Sequence, residues 1–152
     1  MQIDDMQSGA GTTVIETNLS REDDVVTGRT CRVMVVDDSK TIRRTAETLL
    51  RKEGFEVVTA VDGFEALGKI VDYQPDIVFL DIMMPRLDGY QTCALIKHHH
   101  AFKNTPVVML SSRDGLFDRA RGRVVGSDRY ITKPFTKEEL LAVIAHYGSS
   151  SG

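Results

Sequence analysis

Three stretches of this chain are apolar at every position: residues 33–36 (VMVV), 77–80 (IVFL) and 107–110 (VVML). A strand with one wetted face alternates apolar and polar side chains. A run of four without alternation suits a strand covered on both faces. Such strands occur in parallel sheets sandwiched between helices, so this feature points to an α/β architecture. Residues 55–60 and 129–132 are weaker strand candidates, and Pro106 stands just before the third run, where a strand tolerates it.

Helical patterns fill the gaps. Ile42, Ala46, Leu49 and Leu50 recur at helical spacing, with Arg51 and Lys52 in the last turn and Gly54 as a stop. Leu67, Ile70 and Val71 mark a second helix, and Tyr90 to Ile96 a third. Leu116, Phe117, Ala120 and Val124 mark a weaker fourth, interrupted by Gly122. The last is the best specified. Thr136 and Glu139 have capping-box spacing, Phe135 and Leu140 occupy the staple positions, and Leu140, Leu141, Ile144 and Tyr147 form its apolar face. Five strands alternating with five helices predict a doubly wound, flavodoxin-like sheet, for which the parallel order 2-1-3-4-5 is the natural candidate.

A chain of 152 residues is expected to hold one domain, with no space for a second full-sized one. Residues 1–30 carry six acidic and two basic residues, are rich in Gly, Ser, Thr and Asp, and show no sustained period. They read as a disordered acidic tail before a domain at 31–147, and residues 148–152 (GSSSG) as a flexible linker. Gly9 and Gly11 lack the third glycine and preceding strand of a dinucleotide loop. No run approaches 18 apolar residues and no apolar leader is present, so neither membrane insertion nor export is expected. A net charge of −3 gives no reason to expect direct nucleic-acid binding. Cys31 and Cys93, with no CxxC spacing, fit a reducing cytoplasm and read as inert, partly buried thiols.

The residues that close the strands carry the chemistry. Asp37 and Asp38 close the first, Asp81 the third and Ser111 the fourth, and Lys133 lies just past the fifth. In the order 2-1-3-4-5 those four strands are adjacent, so their carboxyl ends meet in the crevice where open α/β sheets bind ligands. A single Asp at a strand end is usually a cap or turn residue. Polar groups at four adjacent ends are harder to obtain by chance. Three carboxylates together repel, and a hard dication such as Mg²⁺ relieves that. One carboxylate could then act as a nucleophile toward a phosphoryl group, with the hydroxyl and the lysine balancing its charge.

These segments, VVDDS (35–39), FLDIMMPRLDG (79–89), MLSS (109–112) and Lys133-Pro134-Phe135, resemble the receiver domain of two-component response regulators over residues 31–147. The resemblance implies a protein that accepts a phosphoryl group on Asp81 from a histidine kinase. It implies Mg²⁺ held by Asp37, Asp38, Asp81 and the Met83 backbone carbonyl, with Asp37 mostly through a water. Lys133 is then the phosphate partner, Ser111 the switch hydroxyl and Tyr130 the switch aromatic. A cis Lys133–Pro134 bond is also implied. The expected function is a single-domain switch read by a downstream protein, and not an enzyme with a separate substrate, although it catalyses its own phosphorylation and dephosphorylation. The stretches DDSKTIRRTAETLL, DIMMPRLDGYQTCALIK and MLSSRDGLFDRARGRVVGSD are similar to regulators of chemotaxis-like systems governing type IV pili and twitching motility, which implies an output partner in the pilus machinery.

Three other readings compete. A receiver portion of a longer transcriptional regulator remains open. A haloacid-dehalogenase-type phosphotransferase needs a second Asp where Met83 stands, and a flavodoxin-like FMN site needs a phosphate loop where Asp37 and Asp38 stand. His98, His99 and His100 could bind a metal but sit at a helix end, where exposed histidines are ordinary. Arg113, Arg119, Arg121, Arg123 and Arg129 outnumber Asp114, Asp118 and Asp128, giving either a solvated face or a docking face for an acidic partner.

Overall fold

A computed structural model describes residues 30–112 and 116–147. The acidic segment before residue 30, the GSSSG end, and Arg113 and Asp114 lie outside the described residues, as do the side chains of residues 116–119. The elements alternate as β1 (Arg32–Val36), α1 (Lys40–Lys52), β2 (Glu56–Ala60), α2 (Gly63–Tyr73), β3 (Ile77–Asp81), α3 (Gly89–His98), β4 (Val107–Ser111), α4 (Leu116–Val125), β5 (Arg129–Thr132) and α5 (Lys137–Tyr147). The strands form one parallel sheet in the order β2-β1-β3-β4-β5.

The sheet explains the unbroken apolar runs. Met34, Val36, Val78, Leu80, Val107 and Met109 face one layer, where they meet Ala66 and Ile70 of α2 and Tyr90, Cys93 and Ile96 of α3. Val33, Val35, Ile77, Phe79, Val108 and Leu110 face the other, against Ala46 and Leu50 of α1 and Leu140, Val143 and Ile144 of α5. The central strands β1, β3 and β4 alternate between two cores rather than between core and water, so their middles are apolar, whereas the edge strands β2 and β5 carry exposed Glu56 and Arg129.

Four helices begin on side-chain caps. Ser39, Asp62 and Asp88 each accept a backbone N–H three residues on. Asp88 and Gln91 form a full capping box, and so do Thr136 and Glu139. Two helical faces differ from the periodicity reading. Val71 is 53% exposed, because α2 buries Gly63, Ala66 and Ile70 instead. Gly63 is packed so tightly against Leu87 and Thr92 that a Cβ there would collide with both, and this contact sets the rotation of the helix. In α4, Val124 is 84% exposed, and its neighbour Val125 packs inward.

Candidate functional site

The register levels the strand ends. Val36 pairs with Leu80, Asp81 with Leu110, and Ser111 with Thr132. Asp37, Asp38, Asp81, Ser111 and Lys133 therefore emerge along one edge of the sheet. Asp37 is fully buried. One carboxylate oxygen accepts the Ser39 N–H at 2.9 Å and the other accepts Lys133 Nζ at 3.2 Å. Its carbonyl accepts the Arg43 guanidinium at 2.7 Å. Asp38, one residue on, points to solvent.

Asp81 is the last residue of β3 and is buried. Its Oδ1 accepts Lys133 Nζ at 3.0 Å and the Met83 N–H at 3.3 Å. Carboxylate oxygens of Asp37, Asp38 and Asp81 lie within 4.8 Å of one another. Among the described residues this is the one set of three His, Cys, Asp or Glu side chains that converges as a metal site. His98, His99 and His100 do not converge, and the last two stack ring on ring at 5.1 Å.

Burial, and then the neighbouring Asp37 charge, push the Asp81 carboxyl up to about 6, against the opposing pull of Lys133. Burial alone lowers the Lys133 pKa, but its hydrogen bond to Asp81 and the two carboxylate charges outweigh this and raise it. The site thus holds three carboxylates against one ammonium group, with two of the carboxylates out of water. All the donors are hard oxygens. Such a set fits Mg²⁺, which takes carboxylate ligands and retains waters.

Ser111 ends β4 and is buried, and its carbonyl accepts the Lys133 N–H at 2.6 Å. That bond sets the start of the loop carrying Lys133, whose peptide to Pro134 is cis. The Met83 side chain is 70% exposed beside the site. Tyr130, in the middle of β5, is half-buried, and its hydroxyl lies 3.1 Å from that of Tyr90.

Two contributors escaped the sequence reading. Arg43 is one of several surface-type arginines in the sequence, and only the fold turns it onto the Asp37 carbonyl. Gly89 sits where α3 begins against the Asp81–Ile82 backbone, and a Cβ there would collide with the Asp81 carbonyl and Ile82 Cα. No side-chain hop relieves a clash with backbone. Gly89→Ala should therefore cost about 2–3 kcal/mol, read as a lower urea midpoint, and an unchanged midpoint would contradict this packing.

Cys93 is fully buried, with burial driving its thiol up to about 12, and Cys31 is half-buried. Neither pairs in a disulfide. Arg121, Arg123 and Arg129 are all exposed, and the Arg121 guanidinium also lies 4.4 Å from the centre of the Tyr90 ring. Asp128 accepts both Lys97 Nζ and the Val107 N–H at 2.8 Å.

Comparison with known proteins agrees with this geometry. Residues 33–145 match the family described as the response regulator receiver domain. Over 119 residues the chain is 72% identical to protein PilG of Pseudomonas aeruginosa, spanning 78% of this chain and 88% of that one. It is 44% identical over 113 residues to the probable transcriptional regulator ycf27 of Guillardia theta, spanning 74% of this chain and 43% of that one. Among solved structures, chemotaxis protein CheY4 of Vibrio cholerae superposes with a TM-score of 0.75 at 32% identity, covering 78% of this chain and 98% of that one. The receiver domain of Francisella response regulator 1452 superposes with a TM-score of 0.75 at 33% identity, covering 81% and 100%.

Proposed function

This chain belongs to the response regulator receiver family, and from that membership we propose that it is a phosphorylation switch whose phosphoacceptor is Asp81. The observation that carries the reading is the Asp81 carboxylate at the end of β3, hydrogen-bonded to Lys133 and clustered with Asp37 and Asp38.

The donor is a histidine kinase phosphohistidine. An Asp81 carboxylate oxygen attacks phosphorus, a new O–P bond forms as the P–N bond breaks, and the leaving imidazole nitrogen takes up a proton. Asp37, Asp38, Asp81 and the Met83 carbonyl would hold Mg²⁺, which supplies positive charge beside the phosphoryl oxygens. Lys133 is close enough to Asp81 to pair with the new phosphoryl group. The Ser111 hydroxyl then moves toward the phosphoryl oxygens, and Tyr130 follows into the space it leaves. Ser111 ends β4, the neighbour of β3, and Tyr130 lies on β5 just beyond it, so the movement reaches the α4–β5–α5 surface. A downstream protein reads that surface. No separate substrate is turned over.

The setting we propose is a chemotaxis-like pathway governing type IV pili and twitching motility, supported by the 72% identity to PilG. Among the described residues no helix is long and apolar enough to cross a membrane, and the proposed site of action is the cytoplasm. The single-domain reading is supported by the span of the PilG alignment. The ycf27 alignment, which covers less than half of that relative, supports the alternative of a receiver within a longer transcriptional regulator.

Acetyl phosphate with Mg²⁺ should add one phosphoryl group by intact mass. Borohydride trapping should place it on the peptide carrying Asp81. No incorporation, or incorporation elsewhere, would reject the assignment.

A further inference from the structure

Tyr90 is the second residue of α3, is only 4% exposed, and belongs to the core cluster against which Tyr130 packs. Their hydroxyl oxygens share a hydrogen bond at 3.1 Å across 40 positions of sequence. Phenylalanine at position 90 would supply the same apolar surface, so what the hydroxyl adds is its hydrogen bond to Tyr130. The face of the same ring carries the Arg121 guanidinium from α4 at 4.4 Å from the centroid. One side chain thus touches β5 through its hydroxyl and α4 through its ring. The far end of α4 is tied separately. Cys93 Sγ donates to the Val125 carbonyl at 3.7 Å, and Lys97 meets Asp128 at 2.8 Å just beyond the helix.

We propose that Tyr90 is a positioning residue for the switch: its hydroxyl holds Tyr130 inward, and its ring links that orientation to α4 through Arg121. The proposal rests on the reading of Tyr130 as part of the phosphorylation switch. The hydroxyl bond exists only while Tyr130 faces inward, so it weights that orientation over any outward one. An ordinary net hydrogen bond weights a two-state side chain by about fivefold. Arg121 is then more than one member of a solvated basic face, because its charge is held over a ring that moves with the switch residue.

The test uses the full chain labelled with 3-fluorotyrosine, whose four tyrosines give four fluorine signals. Tyr130→Phe assigns the signal of interest. Tyr90→Phe, which removes one oxygen and keeps the ring, should shift the Tyr130 signal by an amount matching an about fivefold change in orientation. The amide resonances of residues 120–125 should move with it. In an Arg121→Gln background, Tyr90→Phe should still move the Tyr130 signal but leave those amides in place. An unmoved Tyr130 signal in Tyr90→Phe overturns the proposal, and so does a lowered thermal midpoint with that signal unmoved, which would mean packing alone. Equal amide shifts with and without Arg121 overturn the link to α4. Beryllofluoride with Mg²⁺, as a phosphoryl mimic, tests the underlying reading separately. A wild-type Tyr130 signal blind to it would reject the switch reading alone, because the Tyr90 effect is measured in its absence.

Discussion

Asp81→Asn should abolish phosphoryl uptake from acetyl phosphate completely, with no modified species by intact mass under conditions that convert the wild type. An amide oxygen is not a competent nucleophile at phosphorus, so the loss is chemical rather than structural. The substituted side chain still offers an oxygen to Lys133 and to the Met83 N–H, the two donors that Asp81 Oδ1 accepts. The fold should therefore survive. Asp37 is a poor substitute, because it is fully buried and its oxygens already accept the Ser39 N–H and Lys133. Removing a buried negative charge beside Asp37 should also raise the thermal midpoint of the metal-free protein. Stoichiometric phosphorylation of the variant would move the acceptor elsewhere.

Acidification should stabilise the metal-free protein, and Mg²⁺ should reverse that preference. Asp81 is raised from an ordinary 3.8 to about 6 by burial and then by the Asp37 charge. The folded state therefore holds a proton more tightly than the unfolded chain. That contribution is fully present below about pH 4 and is lost as pH rises through about 6. Its full size is on the order of 3 kcal/mol, of which about 2 kcal/mol separates pH 4.5 from 7.5. Denaturant titrations at pH 4.5 and 7.5, compared with Asp81→Asn to remove the contribution of other groups, would measure it. A metal that binds the folded state alone adds about 2.7 kcal/mol at a hundredfold excess over its dissociation constant. Because metal and proton compete for the same oxygens, the gain from Mg²⁺ should be larger at pH 7.5 than at 5. Asp38→Asn, which removes the exposed carboxylate of the set, should reduce it. A wild-type midpoint indifferent to saturating Mg²⁺ at pH 7.5 would count against the metal site.

The architecture was legible because the central strands β1, β3 and β4 are buried on both faces. Residues 33–36 carry no polar side chain, and the sheet divides them between two cores. The residues that ended those runs were legible for the same reason. In a strand that admits only apolar side chains, Asp37, Asp81 and Ser111 stand out as the points where the chain leaves the core. The capping box at Thr136 and Glu139 was equally local, since both partners lie within one turn. The box at Asp88 and Gln91 that starts α3 is equally local.

What the amino-acid sequence determined by itself was everything that depends on neighbours a few positions apart: strand against helix, the apolar layers, and the polar ends of the strands. The tertiary structure alone decided what depends on distance across the fold. It brought Lys133 to Asp81 across 52 positions and to Asp37 across 96, turned Arg43 onto a buried carbonyl, and joined Tyr90 to Tyr130. It also chose which valines of α2 and α4 face water, since helix rotation is set by close contacts such as Gly63 against Thr92. The physical reason is that periodicity records only whether a side chain leaves water, whereas a hydrogen bond or a charge pair requires a particular partner. Which partner arrives depends on the register and packing of elements that the chain brings together only after folding.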